Sequence, residues 1–335
     1  MTASLVRAAL LALAACLALP GPLLAGGSDY GTAPGIPSAF SGQVSEWPVP
    51  TPEFARDPAV APDGSIYIAV MRGNRVARFD PATASFREWP MPRGHLPHGL
   101  LVDRRGIVWT TGNGNGTVGR LDPASGDIRE FRTPSGGGPH TIVLAGDGRT
   151  LWFTQQSGNR IGRLDTATGS FTEYPTSGGP YGIALDRRGL VWFCRMGDDR
   201  LGILDPRTGA MDALALPEGS RPRRMAAAPD GSLWVTLYGS GKLVRVDPAA
   251  RRVVAEVDLP AGAGGGPYAV TVDGAGTVWA NEIHADTVVR LDPVDGRPRV
   301  IPLPTRDAGI RKMVVDGAGR LWYMGSHNGR LGMIR

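Results

Sequence analysis

The sequence is poor in cysteine, in lysine and in long apolar runs. Of its 335 residues two are cysteine, Cys16 and Cys194, and two are lysine, Lys242 and Lys312. Cys16 lies in an apolar leader, so a chain that has shed the leader keeps one thiol and has no internal disulfide. Cys194 sits two residues after Trp192 in a strand-like run and reads as a small core residue. With so little lysine, arginine supplies nearly all of the 36 basic residues. They are dispersed rather than gathered into a patch, and the net charge of +5 is mild; both argue against nucleic acid as a partner. Beyond the leader no stretch approaches the roughly 20 apolar residues of a membrane span. At 20% charged and 42% hydrophobic, the chain is also too apolar for a solvated coil.

Glycine and proline are abundant instead, 48 and 29 residues. So many breakers exclude a helical bundle and point to an all-β chain of short strands and tight turns. Residues 1–25 read as an export signal: Arg7, an apolar core from Ala8 to Ala18, then Pro20, Pro22 and the small residues Ala25 to Gly27. Leu13-Ala14-Ala15-Cys16 has the form of a lipoprotein signal, which would leave a lipid anchor on Cys16. Ordinary cleavage near Ala25 is the favoured alternative, because the run after Cys16 stays apolar. Either exit predicts a periplasmic or secreted protein. Residues 26–42 form a linker.

Self-similarity then gives the architecture. One aromatic position recurs at Tyr67, Trp109, Trp152, Trp192, Trp234, Trp279 and Trp322, at gaps of 40 to 45 residues. Each copy carries four short apolar strands separated by turns, the grammar of a β-propeller blade. A third-strand Asp recurs at Asp80, Asp122, Asp165, Asp205, Asp247 and Asp292, and an arginine at Arg78, Arg120, Arg163, Arg245 and Arg290. Recurrence in nearly every unit marks these residues as structural. The seventh unit lacks an outer strand, while an orphan one, Glu46-Trp47-Pro48-Val49-Pro50, copies Glu88-Trp89-Pro90-Met91-Pro92. The expectation is one domain, 43–335: a seven-bladed β-propeller closed by an N-terminal strand that completes the last blade, and working as a monomer.

Function is then sought where the blades differ, on the face that carries the loop before each first strand and the loop between the second and third. The residues opening the first strands are Arg56, His98, His140, Tyr181, Arg223, Tyr268 and Arg311. They make an electropositive channel mouth suited to an anionic or carbonyl-rich small molecule, unless they are simply a solvated polar rim. In the second loop Arg195 adds a cation. The sixth blade alone joins a carboxylate and an imidazole, as Glu282-Ile283-His284, and His327 holds the equivalent place in the seventh. Residues two apart in a strand share a face, so Glu282 and His284 are expected to point together at the mouth. A glutamate with two histidines can hold a divalent cation or serve as base and acid.

Trp152-Phe153-Thr154, Asn159-Arg160-Ile161-Gly162-Arg163-Leu164, Glu173-Tyr174-Pro175 and Pro180-Tyr181-Gly182-Ile183 resemble the repeat of the virginiamycin B lyase (streptogramin B lyase) family, over roughly residues 43–335. The resemblance implies a magnesium-dependent enzyme that opens a cyclic depsipeptide by elimination across its ester. It makes Glu282 the metal-site glutamate and His284 the catalytic histidine. Two places depart from the family: its further histidine one blade earlier is Gly239 here, and its outer-strand glutamate falls in Val300-Ile301-Pro302. His327 is a candidate substitute for the missing imidazole. Three readings stay open: an exported lyase of this kind, a non-catalytic periplasmic binding or interaction propeller, and a metal-dependent lactonase or esterase.

Overall fold

The computed structural model of the chain describes residues 39–41, 43–292 and 295–335; the leader and most of the linker lie outside them. Seven antiparallel sheets follow one another, six of them with four strands in sequence order, at 55–90, 97–132, 139–175, 180–215, 222–258 and 267–302. The seventh holds three strands from 310–334. Val44–Pro48 pairs antiparallel with Arg330–Ile334 as its outer strand, and the short strand Ala39–Ser41 extends it. The ring therefore closes by the N-terminal strand, which hides the edge that the last blade would otherwise expose. The one helical element among the described residues is a 3-10 turn at Gly262–Gly265. No helix among them is long and apolar enough to cross a membrane.

The recurring residues have structural work across the blades. Asp103, in the turn between first and second strands, accepts from the backbone N–H of Arg105 and Ile107 with one oxygen and from Trp109 Nε1 at 3.2 Å with the other. The same tie joins Asp186 to Trp192, Asp273 to Trp279 and Asp316 to Trp322. The third-strand aspartates cap the next turn: Asp80, Asp122, Asp165, Asp205 and Asp247 each accept from the N–H two residues on, as short acidic side chains do in Asx turns. Arg163 and Arg290 lie opposite the blade tryptophans across the ladder and cover their rings. Cys194 is fully buried, and that burial pushes its thiol pKa up.

Packing within a blade turns on one cross-strand pair. Phe153, Phe193 and Tyr323 lie opposite Gly162, Gly202 and Gly332, and a Cβ on those glycines would fall 1.9 to 2.1 Å from the facing ring. Where the second-strand residue is smaller the third strand regains a side chain, as in Val235 opposite Val244. Gly202→Ala is thus expected to destabilise the protein by about 1–3 kcal/mol through overpacking. Adding Phe193→Val should return part of the loss, and urea unfolding of both variants measures it. The second blade breaks the pattern, with Thr110 opposite Gly119. There fully buried His95 fills the slot from the preceding loop, with Nε2 2.7 Å from Thr110 Oγ1 and Nδ1 2.7 Å from Glu130.

Every inner strand carries a β-bulge near its start, between Ala55 and Pro58 in the first blade and at the matching place in the other six. At a bulge two residues face one, so each blade turns two successive residues out of simple alternation: Arg56-Asp57, His98-Gly99, His140-Thr141, Tyr181-Gly182, Arg223-Arg224, Tyr268-Ala269 and Arg311-Lys312. In four blades the N–H of the second residue is taken by a second-strand side chain that also reaches the next blade. Thr236 Oγ1, for example, accepts from Arg224 N at 3.0 Å and donates to Tyr268 O at 2.8 Å. Thr111, Thr154 and Asn281 repeat the clasp.

Candidate functional site

The seven residues read as a mouth ring converge on the channel. His98 and His140 meet in a tilted pair with ring centroids 3.6 Å apart, and His140 meets Tyr181 at 4.2 Å. The hydroxyls of Tyr181 and Tyr268 bond directly to each other. Arg311 covers Phe54 at 4.9 Å and Tyr268 at 5.6 Å. Arg56, His98, His140, Tyr181 and Tyr268 are all buried, whereas Arg223 and Arg311 are partly exposed. Burial and then the neighbouring Arg56 drive the pKa of both histidines well below the ordinary value, so they sit neutral among the cations. Burial and Tyr268 push Tyr181 up to about 12. The ring is a packed plug more than a solvated rim, and its outer surface is cationic at Arg223 and Arg311.

Arg223 links the plug to the sixth-blade residues. Its guanidinium lies 4.5 Å over the ring of Tyr238 and 5.4 Å over Tyr181 and Tyr268. Tyr238 Oη is 2.8 Å from Nε2 of the exposed His284. Gly266 lies directly beneath this pair with φ at 57°. A Cβ there would come within 2.7 Å of the His284 ring and 3.0 Å of Tyr238, so the place admits only glycine.

Glu282 behaves differently. Its strand, Val278–Glu282, ends on it, so the alternation that would align it with His284 stops there. The side chain is 1% exposed. One carboxylate oxygen accepts from Ala261 N at 2.7 Å and the other from Thr287 Oγ1 at 2.9 Å. Ala261 opens the 3-10 turn that leads to Gly265 and Gly266, and those two carbonyls take the N–H groups of His284 and Ile283. Glu282 therefore fixes the loop on which His284 rests. As a magnesium site the donor set is poor. One carboxylate is present with both oxygens already engaged, and the family's second carboxylate place is the exposed Val300 beside buried Ile301. A hard cation takes six or more oxygens.

The remaining predicted residues lie apart from this pair. His327 Nδ1 pairs with Asp307 at 2.7 Å and its ring stacks on Phe54, whereas His284 pairs with Tyr238. Arg195 is bound by Asp198 of its own loop and by Ser177 of the loop before the blade's first strand. Gly239 is closed to any side chain, since a Cβ would lie 2.0 Å from the carbonyl oxygen of Gly219. Tyr238 was missed by sequence reasoning. Its signal was an aromatic in the second loop of one blade only, adjacent to the unexpected glycine.

The sequence model of the virginiamycin B lyase family matches residues 38–174 and 85–335. Among solved structures, a streptogramin B lyase superposes with a TM-score of 0.80 at 24% identity, covering 87% of this chain and 97% of that one. Virginiamycin B lyase from Staphylococcus aureus gives 0.79 at 22% identity, with 87% and 98% covered. Hydrazine synthase from Kuenenia stuttgartiensis gives 0.72 at 17% identity, with 84% and 95% covered. At these identities the structural likeness carries the fold and not the chemistry. Comparison with curated proteins gives no match.

Proposed function

The chain belongs to the virginiamycin B lyase family, and from that premise we propose that it opens a cyclic depsipeptide or related ester by elimination, with His284 as general base. The observation that carries the reading is the His284–Tyr238 pair, 2.8 Å apart on the loop face with Arg223 against the tyrosine. The Tyr238 hydroxyl can donate to Nε2 or accept from it, so the pair can take up a proton and pass it on. His284 removes the proton α to a carbonyl. The electron pair forms a carbon–carbon double bond as the β-carbon–oxygen bond breaks, and the ester leaves as a carboxylate. Negative charge developing on the carbonyl oxygen is met by Arg223. This route needs no metal step. The apolar leader at 1–25 supports action outside the cytoplasm.

Incubation with a streptogramin B should yield a linear product of unchanged mass, whereas an esterase would add one water. Because the donors around Glu282 are few, chelation by EDTA is expected to leave the rate nearly unchanged. A mass increase by water, or a rate abolished by EDTA and restored by magnesium, would overturn this form of the mechanism.

Ligand capture without turnover is a second reading. It is favoured by Gly239, whose close approach to Gly219 leaves no room for a second imidazole. Saturable binding of the intact antibiotic with no product at long incubation would establish it.

A further inference from the structure

The second tier of the channel has chemistry that the loop face does not use. The bulges bring Arg56, Arg223, Arg224, Arg311 and Lys312 around the axis, and among the fourteen paired positions Asp57 is the only carboxylate. Asp57 is spent on Arg224, 3.3 Å away and equally buried. Arg224 also donates to Thr141 Oγ1 at 3.1 Å, and Lys312 Nζ donates to Leu100 O at 2.6 Å. Several polar atoms are left over. Arg224 Nε, Arg56 Nε and Nη2 and both ring nitrogens of His98 are buried without a hydrogen-bond partner. Arg224, Arg56 and His98 are 5%, 6% and 2% exposed. Such groups are costly unless something satisfies them.

Of these three, Arg224 lines a cavity of about 190 Å³. Arg224, Arg311, Lys312 and Thr141 line it together with the apolar residues further along the inner strands, such as Ile183, Met225 and Val314. Those residues lead toward the first-to-second-strand turns, away from the loops that carry His284. A water occupies ~30 Å³, so the cavity suits a small ion with a few waters and is far too small for a cyclic peptide.

We infer that this cavity is a binding site for a small oxyanion, a phosphate- or carboxylate-sized group held by Arg224 and Lys312 and reached from the face opposite His284. An anion there would satisfy the leftover guanidinium N–H and offset cations that now face one carboxylate. Burial holds the Lys312 pKa down to about 8 against the opposing pull of Asp57, and Arg224 adds to the fall. The inference is independent of the elimination chemistry.

Titrating the full chain with inorganic phosphate, sulfate, acetate and malonate, by calorimetry and by thermal melting, tests it. The expected result is saturable binding and a saturating rise in Tm. Lys312→Met should weaken the affinity about tenfold or more, as loss of one charge-assisted contact does. The ranking of the four anions separates a phosphate site from a carboxylate site. Should the Met variant fail to fold, Lys312→Gln keeps a donor for Leu100 and loses the charge. His284→Ala should bind the anion unchanged, so failure of the lyase reading and of this one are read separately. A Tm rise that is linear in salt and equal in wild type and variants, with no binding heat, would overturn the inference.

Discussion

A chain lacking residues 1–49 is expected to lose cooperative folding, not merely some stability. Val44–Pro48 supplies five consecutive pairings to Arg330–Ile334, and Val49 N–H adds a bond to Gly329 O at 3.0 Å. Glu46 is fully buried and accepts from Tyr323 Oη at 2.5 Å and Thr305 Oγ1 at 2.6 Å. Trp47 packs against Phe79 of the first blade at 5.0 Å and Trp322 of the seventh at 5.9 Å, so it is the joint between them. Without the strand, Arg330–Ile334 becomes an open edge and the Tyr323 hydroxyl loses its acceptor. That lost bond alone costs about 1–3 kcal/mol, and the lost aromatic packing about 3–5 kcal/mol more. The sum approaches the whole stability of an ordinary domain, about 5–15 kcal/mol. Urea titration followed by far-UV circular dichroism should show a broad, early transition with a reduced slope. The milder Glu46→Ala should keep the slope and lower the midpoint. An unchanged midpoint and slope in the truncated chain would remove the strand from its role.

His284→Ala is expected to lower the elimination rate by a factor of about 10²–10⁴, the usual share of general acid–base catalysis, with little change in melting temperature because the side chain is exposed. Tyr238→Phe should cost less, since it removes only the hydroxyl partner of Nε2. The informative companion is Glu282→Gln. A glutamine can accept from Ala261 N–H with its oxygen and meet Thr287 with its amide nitrogen, so a residue that positions the His284 loop keeps most of its effect. A metal ligand would not. Retained activity in Glu282→Gln with loss in Glu282→Ala supports positioning; equal loss in both returns Glu282 to metal binding.

What could be read in advance follows from where the repeat holds. The blade count and the closing strand were legible because seven tryptophan-like positions and the copied Glu46-Trp47-Pro48 share one period. The ring from Arg56 to Arg311 was legible for the same reason, by its constant offset from the aromatic. The second tier was not. Strict alternation sends Asp57, Arg224 and Lys312 away from their neighbours, and only the bulge brings them to the axis. Glu282 illustrates the opposite failure, since alternation was extended to His284, two residues past the end of its strand. His95 escaped notice because its role depends on a slot left open by Thr110 and Gly119, a relation across the sheet that one-dimensional spacing does not display.

The closing strand also sets an order in time. The bond from Tyr323 to Glu46 spans 277 residues, so the segment made early must wait, unpaired, until the seventh blade has been synthesised. Contacts of such separation form slowly, because the loop-closure entropy must be spent before any of them forms. Each of the earlier blades can assemble from neighbouring strands within some forty residues, whereas the clasp is the last event. Refolding should therefore show a fast phase in which sheet content returns and a slower one in which Trp47 fluorescence settles between Phe79 and Trp322. During that interval the waiting strand and the open edge are each available to a second chain.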